Sequence, residues 1–406
     1  MKIWEKIRQK IFPFFQSEKN FLPPLKKENG KKTKIFVGVS GGVDSSVSAL
    51  ILKNKGYEVE GVFFKKYTLD KEKCQQEKND AEKICQQLGI PFHFLDLEKE
   101  YKEKILEYFI ETYRVGKTPN PDIFCNREIK FGAFQKWAFE NGADYIATGH
   151  YAQNIFDKKK KLHFLKMGRD ENKDQSYFLA LLKQEQLAKS IFPLGNLKKP
   201  EVRKIAEKNG LITAEKKDSQ GICFLGEKIN LKDFLKKYIP EKKGQVLNMK
   251  GEEMGEHSGA VFYTIGERHG FEIFPSAKKP DMPRLFVIKK DIEKNILVVG
   301  SSEDLKKINS EKKQKEIRFS KANWISEEPD FAKKYLGRVR YRGELIPGKI
   351  SYAGPQFLCR AEVCVEDELL DEKYKVIFDK PHRFVASGQV VVFYDEDTCL
   401  GGGVIE

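Results

Sequence analysis

The spacing of apolar residues changes character twice along the chain. Lys34–Val39 (KIFVGV) is an unbroken β-branched and aromatic run, the pattern of a strand buried on both faces. Ser40-Gly41-Gly42 interrupts it, and Val43, Val47, Leu50 and Ile51 then recur at helical spacing until Gly56, which suits the left-handed residue after a helix. Val59–Phe64 reads as the next strand. Asp80–Leu88 places Ala81, Ile84, Cys85 and Leu88 on one helical face and stops at Gly89, and Phe92–Leu97 reads as a third strand. Tyr101–Tyr113 and Glu128–Glu140 read as helices, and Tyr145–Ala147 as a strand ending at Thr148-Gly149-His150. Strands alternating with helices predict right-handed crossovers, hence an α/β fold with a Rossmann-like parallel sheet covered on both faces.

Near residue 226 the pattern shifts. Leu231–Tyr238 reads as a last helix, followed by short strands at Gly259–Thr264, Arg284–Lys289 and Ile296–Val299. The charged stretch Ser301–Lys315 reads as a linker. Alternating segments follow at Leu336–Tyr341, Phe357–Val365, Tyr374–Phe378 and Val390–Tyr394, the pattern of a small barrel or sandwich. The predicted organisation is an N-terminal extension (1–33), an α/β catalytic domain (34–226), a small mixed central domain (227–310) and a C-terminal β-barrel domain (311–406).

Charge adds a partner class. The 406 residues hold 74 Lys and Arg against 60 Asp and Glu, a net charge of +14. Clustered cations release counterions when they neutralise phosphates, so a polyanion partner is the natural expectation, with a Lys-rich compositional bias as the alternative that charge alone leaves open. Residues 1–33 hold nine Lys or Arg and three Glu. They read as a mobile basic extension, with an RNA-contacting arm as the sharper alternative. Charges interrupt the opening MKIWEKIRQKIFPFF, so it is not the pattern of a signal peptide, and no apolar run approaches the ~18–20 residues of a membrane span. Seven dispersed cysteines without a C-x-x-C pair argue against a secreted disulfide scaffold, structural zinc or an iron–sulfur cluster, and fit a reducing cytoplasm.

The candidate chemistry begins at the first strand–helix junction. In Gly38-Val39-Ser40-Gly41-Gly42-Val43-Asp44-Ser45-Ser46 the glycines let the backbone approach an oxyanion, and the N–H groups of the opening helix point at it. Ser40, Ser45 and Ser46 could donate hydroxyl bonds; Asp44 suits orienting the loop or holding magnesium. No G-x-x-x-x-G-K-[ST] occurs, so this is not a Walker loop. The pattern resembles the pyrophosphate loop of enzymes that cleave ATP to AMP and pyrophosphate. Cys125, in Thr118–Asn126 (TPNPDIFCN), falls near a predicted helix start, where a thiolate is stabilised. Cys223 lies in the polar loop Asp218–Phe224 (DSQGICF); from local context each of the two also reads as a buried structural cysteine, the commonest fate of a free thiol. Cys74, Cys85, Cys359, Cys364 and Cys399 read as structural or incidental.

These segments resemble the tRNA-specific 2-thiouridylases, the MnmA family. The resemblance rests on Gly38–Ser46, Thr118–Asn126, Ala143–Tyr151 (ADYIATGHY), Asn172–Phe178 (NKDQSYF), Lys217–Gly226 (KDSQGICFLG), Asn295–Val299 and Leu400–Glu406 (LGGGVIE), and covers about residues 34–406. It implies ATP-dependent transfer of sulfur to the 2-position of the wobble uridine of tRNAs for Lys, Glu and Gln, with magnesium accompanying ATP. It further implies that Cys125 is the nucleophile and that Cys223 carries a persulfide and closes a transient disulfide with Cys125. Gly38, Val39, Ser40, Gly41, Gly42, Val43, Asp44, Ser45, Phe64 and Gly149 match ATP contacts. Asn120, Pro121 and Asp122 match the segment that holds the flipped base; His150, Lys173, Asp174, Gln175, Arg340, Tyr341 and Gln389 match further tRNA contacts. The implied partners are tRNA and a sulfur donor protein, either a cysteine desulfurase or a relay protein. Departures from the family pattern are Tyr67, the Lys-rich Leu69–Lys78, Glu267 and Phe271–Pro275. The loop alone also fits another adenylating enzyme, such as a lysidine-synthetase-like ligase, in which cysteine has no role, or a non-catalytic RNA-binding protein.

Overall fold

The computed structural model describes residues 20–217, 224–226, 229–277, 282–311, 314–354, 373–382 and 385–406, and of 308–311 and 314 the backbone only. The first part is a five-stranded parallel sheet in the order β3-β2-β1-β4-β7, from Lys34–Gly38 (β1), Glu58–Lys65 (β2), Phe92–Asp96 (β3), Tyr145–Ala147 (β4) and Ser190–Ile191 (β7). Its central strand is buried on both faces, as its unbroken apolar run requires: Ile35 and Val37 are fully buried on one side and Phe36 on the other. Helix α1 (Val43–Asn54) and helix α2 (Lys71–Leu88) follow β1 and β2.

Helix α2 starts nine residues earlier than its apolar face predicts. Its first turns are polar all round, but Asp70 caps them by accepting from the Lys73 N–H at 3.0 Å. Most of the Lys-rich Leu69–Lys78, with Cys74, is therefore helix. A local cap supplied what periodicity could not signal.

A second sheet has the order β10-β9-β8-β12-β11, from Gly244–Leu247 (β8), Glu253–His257 (β9), Phe271–Ile273 (β10), Phe286–Asp291 (β11) and Ile296–Gly300 (β12). The expected strand at Gly259–Thr264 is instead a 3-10 turn, Ala260–Phe262, entered through Gly259 at φ +144°. The expected linker Ser301–Lys315 is helix over Ser302–Glu311, with Ser301 and Asp304 bonded reciprocally across its first turn, and then the start of a strand.

The third sheet closes on itself. Gln314–Trp324 (β13), Lys334–Arg338 (β14), Ile346–Gly354 (β15), Lys373–His382 (β16), Val390–Asp395 (β17) and Thr398–Ile405 (β18) run β13-β16-β15-β14-β17-β18, and β18 pairs back with β13. The expected strand Phe357–Val365, with Cys359 and Cys364, lies outside the described residues. Two further strands join this sheet from the first part of the chain. The hairpin Ala152–Asp157 (β5) and Leu162–Met167 (β6) pairs with β18 through Leu165 opposite Cys399. This hairpin was not predicted, and it ties the α/β part to the barrel through main-chain hydrogen bonds.

A buried ion pair reinforces that join. Arg338 of β14 reaches Asp174 at 3.0 Å, and both side chains are under a tenth exposed. Asp174 also accepts from the Gly168 and Ser176 N–H groups and the Ser176 hydroxyl. The Arg338 guanidinium lies 4.6 Å from the centre of the Tyr394 ring. One apolar cluster consequently runs from Phe36 and Phe134 through Tyr177 to Val390 and Tyr394 of the barrel.

Residues 20–33 correct the expectation of a mobile arm. Asn20 Nδ2 donates to the Phe192 carbonyl and its Oδ1 accepts from the Asn154 N–H. The Phe21 ring packs against Tyr145, Phe156 and His163. Tyr57 donates to the Pro23 carbonyl at 2.6 Å. Aromatic burial, not charge, decides the fate of this segment; residues 1–19 lie outside the described part.

Replacing Arg338 with Met would leave the Asp174 carboxylate buried without its cation. Such a loss costs about 3–5 kcal/mol. The urea midpoint of the full chain, followed by fluorescence, is expected to fall clearly; an unchanged midpoint would contradict the join.

Candidate active site

The strand order reverses between β1 and β4, and in open parallel sheets the crevice beyond such a reversal is where ligands bind. Gly38–Ser45 leaves β1 on one side, and Thr148-Gly149-His150 leaves β4 on the other. Backbones meet closely there. A Cβ on Gly149 would stand 2.9 Å from the Asp44 carbonyl carbon and the Ser45 nitrogen. Gly41 sits at φ +69°, and a Cβ on it would lie 2.5 Å from the Glu77 carbonyl oxygen of α2. Phe64, at the end of β2, stacks on Phe134 at 5.2 Å and borders Gly38. The ATP-matching residues are thus gathered from three separate segments.

The turn leaves its amides open. Gly42 is the N-cap residue of α1 and provides no side-chain cap, so no capping side chain takes the first-turn N–H groups that an anion would need. The serines brace the turn from within. Ser45 Oγ accepts from the Ser40 N–H and donates to the Gly42 carbonyl, both at 3.1 Å. Ser46 Oγ donates to the same carbonyl at 2.8 Å. The hydroxyls of Ser45 and Ser46, expected as ligand donors, here hold the loop's shape. A triphosphate fits this cradle because the amide dipoles and cramped glycines are already in place.

Asp44 is clamped. Lys199 Nζ bonds both of its carboxylate oxygens at 2.8 Å, and the Tyr151 hydroxyl donates to Oδ1 at 2.7 Å. Lys199 is itself positioned by its main-chain N–H, which donates to Asp170 at 2.7 Å. A second ammonium, Lys216, bonds the Gly41 carbonyl at 3.0 Å and Asp80 at 2.7 Å. The loop carries no lysine of its own, and two distant ones supply the cations. Nothing in their local sequence separates Lys199 and Lys216 from the other lysines. Among the described residues no group of three His, Cys, Asp or Glu is arranged to hold a metal ion.

Cys125 ends the short helix Pro121–Cys125, which runs directly into the π-helical turn Asn126–Ala133. It is 4% exposed and packs in the large apolar cluster with Phe124 and Ile129. Asn120 caps this helix, its Oδ1 accepting from the Ile123 N–H, and Asn126 Nδ2 donates to the Asp122 carbonyl. Burial pushes Cys85 and Cys399 up to about 12 and raises Cys74, so these stay protonated at neutral pH. Cys223 lies outside the described residues. Its neighbour Phe224 is fully buried against Tyr101, Phe109 and Phe234.

The tRNA-matching residues divide. Tyr341 lies 4.4 Å from Phe178 by ring centres, and Arg342 donates to the Asn172 carbonyl at 2.7 Å, so the segment around Lys173 and the turn of Arg340 and Tyr341 form one surface. Arg340 and Tyr341 sit in the turn after β14, not on a strand as expected. Gly343, two residues on, folds its N–H back onto the Arg340 carbonyl. Asp174, expected to meet tRNA, is buried on Arg338, and Gln175 accepts from the Tyr151 N–H at 3.0 Å. His150 is buried between Phe131 and Phe192 with Nδ1 on Thr148; burial, then the Lys130 ammonium, holds its ring neutral. Gln389 is bonded to Thr118, Pro119 and Asn120.

A glycine turn at a sheet crevice, with a clamped aspartate and a β-barrel behind it, defines a nucleotide-binding α/β protein of the HUP class. The model described as the tRNA methyl transferase HUP domain matches residues 33–227, the tRNA methyl transferase PRC-barrel domain 232–301, and the aminomethyltransferase beta-barrel domain 314–405. The chain is 45% identical to the tRNA-specific 2-thiouridylase MnmA of Streptococcus mutans over 93% of this chain and 96% of that protein. It is 44% identical to those of Streptococcus thermophilus and Streptococcus sanguinis, with the same coverage. The chain belongs to the tRNA-specific 2-thiouridylase (MnmA) family.

Gly149→Ala is expected to push the Asp44–Ser45 backbone aside. Overpacking of this kind costs about 1–3 kcal/mol, so ATP affinity measured by calorimetry should fall about fivefold or more. Unchanged affinity would show that the crevice is not the nucleotide site.

Proposed function

We propose that the chain thiolates the 2-position of the wobble uridine, position 34, in tRNAs for Lys, Glu and Gln. Bound ATP supplies an electrophilic α-phosphorus, so that the uridine O2 becomes an adenylate as pyrophosphate leaves. The amides of the Gly41–Ser45 turn hold the phosphates, beside the Lys199–Asp44 and Lys216–Asp80 ion pairs. Magnesium would arrive with the triphosphate and share it with at most the Asp44 carboxylate, which Lys199 and Tyr151 already orient. The carrying observation is the complete glycine turn at the crevice, in a chain that matches the thiouridylases almost end to end.

In this reading Cys223 carries the sulfur as a persulfide delivered by a donor protein, a cysteine desulfurase or a relay protein, and Cys125 is the nucleophile. Two orders of events balance. Cys125 can displace hydrosulfide from the Cys223 persulfide, which then attacks C2 and expels AMP. Alternatively, Cys125 first displaces AMP from C2, the outer sulfur of the Cys223 persulfide then displaces Cys125 from C2, and the freed Cys125 thiolate attacks Cys223 Sγ, breaking the S–S bond to release 2-thiouridine. Both end in 2-thiouridine, AMP, pyrophosphate and a Cys125–Cys223 disulfide, which an external dithiol must reopen. A reducing cytoplasm, our proposed location, provides such reductants. Residues 34–226 would do the chemistry, with 227–310 and 311–406 assisting tRNA binding. Asn120, Pro121 and Asp122 would hold the base once it leaves the stack, and Lys173, Arg340 and Tyr341 would meet the RNA surface.

Two measurements test this. Cys125→Ser and Cys223→Ser should each abolish tRNA thiolation while leaving tRNA binding intact; full thiolation by either excludes the relay. Asp44→Ala should stop tRNA-dependent pyrophosphate release and leave the tRNA Kd unchanged, and an equal loss of tRNA affinity would contradict the separation of roles.

A further inference from the structure

Gln389 belongs to the barrel, immediately before β17, yet its amide is bonded to the segment that leads to Cys125. Nε2 donates to the Pro119 carbonyl at 2.9 Å and to the Thr118 carbonyl at 3.2 Å, and Oε1 accepts from Asn120 Nδ2 at 3.2 Å. An amide has one oxygen and one nitrogen, so these bonds fix its orientation and that of its partner. With Nδ2 of Asn120 turned to Gln389, Oδ1 is turned to the Ile123 N–H and caps the helix that ends at Cys125.

The backbones beside this amide pair leave little slack. The Thr118 N–H donates to the Ser387 carbonyl at 2.8 Å. Gly388 stands at φ +88°, and a Cβ there would lie 2.8 Å from the Thr118 carbonyl oxygen. The Asn120 N–H donates to the Tyr108 hydroxyl at 3.3 Å, and the Tyr177 hydroxyl donates to the Val390 carbonyl at 2.9 Å. The barrel thus holds the Thr118–Asn120 turn through Ser387 and Gln389, and Tyr108 holds it from within the α/β part.

We propose that Gln389 is a positioning residue: the barrel, through this amide, sets the Asn120 cap and thereby the presentation of Cys125. The inference rests on the reading of Cys125 as the nucleophile. A direct contact of the Gln389 amide with tRNA, which the resemblance implies, would be confined to the acceptor site on Oε1 that its three protein bonds leave over.

The test uses the full chain with Gln389→Ala and Gln389→Glu. The second keeps the acceptor for Asn120 but sets a carboxylate against two carbonyl oxygens. Alkylation of Cys125 by iodoacetamide, without ATP or tRNA, is followed by peptide mass spectrometry with Cys74 as internal reference. Thiolation kcat and tRNA Kd are measured alongside. Losing hydrogen bonds of ordinary strength should change the Cys125 rate about fivefold against Cys74 and lower kcat about tenfold, with Kd moving less than about twofold. An unchanged Cys125 alkylation rate in both variants overturns the proposal, whatever kcat and Kd do. A loss of tRNA affinity with that rate and kcat unchanged identifies a tRNA contact only. If instead Cys125→Ser protein still thiolates, the reading of the nucleophile fails, independently of the alkylation result.

Discussion

The site depends on how closely two backbones approach at the centre of the parallel sheet. Gly149, leaving β4, lies against the first turn of α1 with no room for a side chain. That contact holds the α1 amides at the crevice, where the helix dipole and the unshared N–H groups act together on an anion. Asp44 on the same turn is fixed from the far side by Lys199 and Tyr151. Glycine is needed where backbone must meet backbone, and charged side chains come from elsewhere in the chain.

The barrel is joined to the α/β part as one structure. The β5–β6 hairpin adds main-chain bonds to β18, Asp174 meets Arg338 in the buried join, and Gln389 reaches the turn before Cys125. Buried polar contacts of this kind tolerate little displacement, because a separated partner would be left desolvated without a bond. The barrel is thereby coupled mechanically to the segment holding the thiol. Cys85 packs in the apolar core and the Cys399 thiol donates to the Ser176 carbonyl within the join; burial keeps both protonated.

Much was legible in the sequence. The apolar run of β1, the Gly-Gly break and the stripe of α1 imply a strand–turn–helix anion site, because a buried parallel strand, a turn that needs glycine and an amphipathic helix each leave a local pattern. The alternation of strands and helices implied the parallel sheet, and the short alternating segments after residue 311 implied the barrel. Where local patterns were weak the reading failed. Polar α2 turns passed as loop, the helix Ser302–Glu311 as linker, and the docked residues 20–33 as a mobile arm.

Tertiary structure alone decided which distant groups meet. Lys199, Lys216 and Arg338 are three among many basic residues, and only the fold brings the first two to the glycine turn and the third to Asp174. Asp174 and His150 carry polar side chains in segments expected to face RNA, yet packing turns both inward. The physical reason is range. Backbone conformation and amphipathic period are written within a few residues, whereas an ion pair or an amide clamp is set by residues some 150 to 270 positions apart whose spacing in sequence carries no trace of their contact.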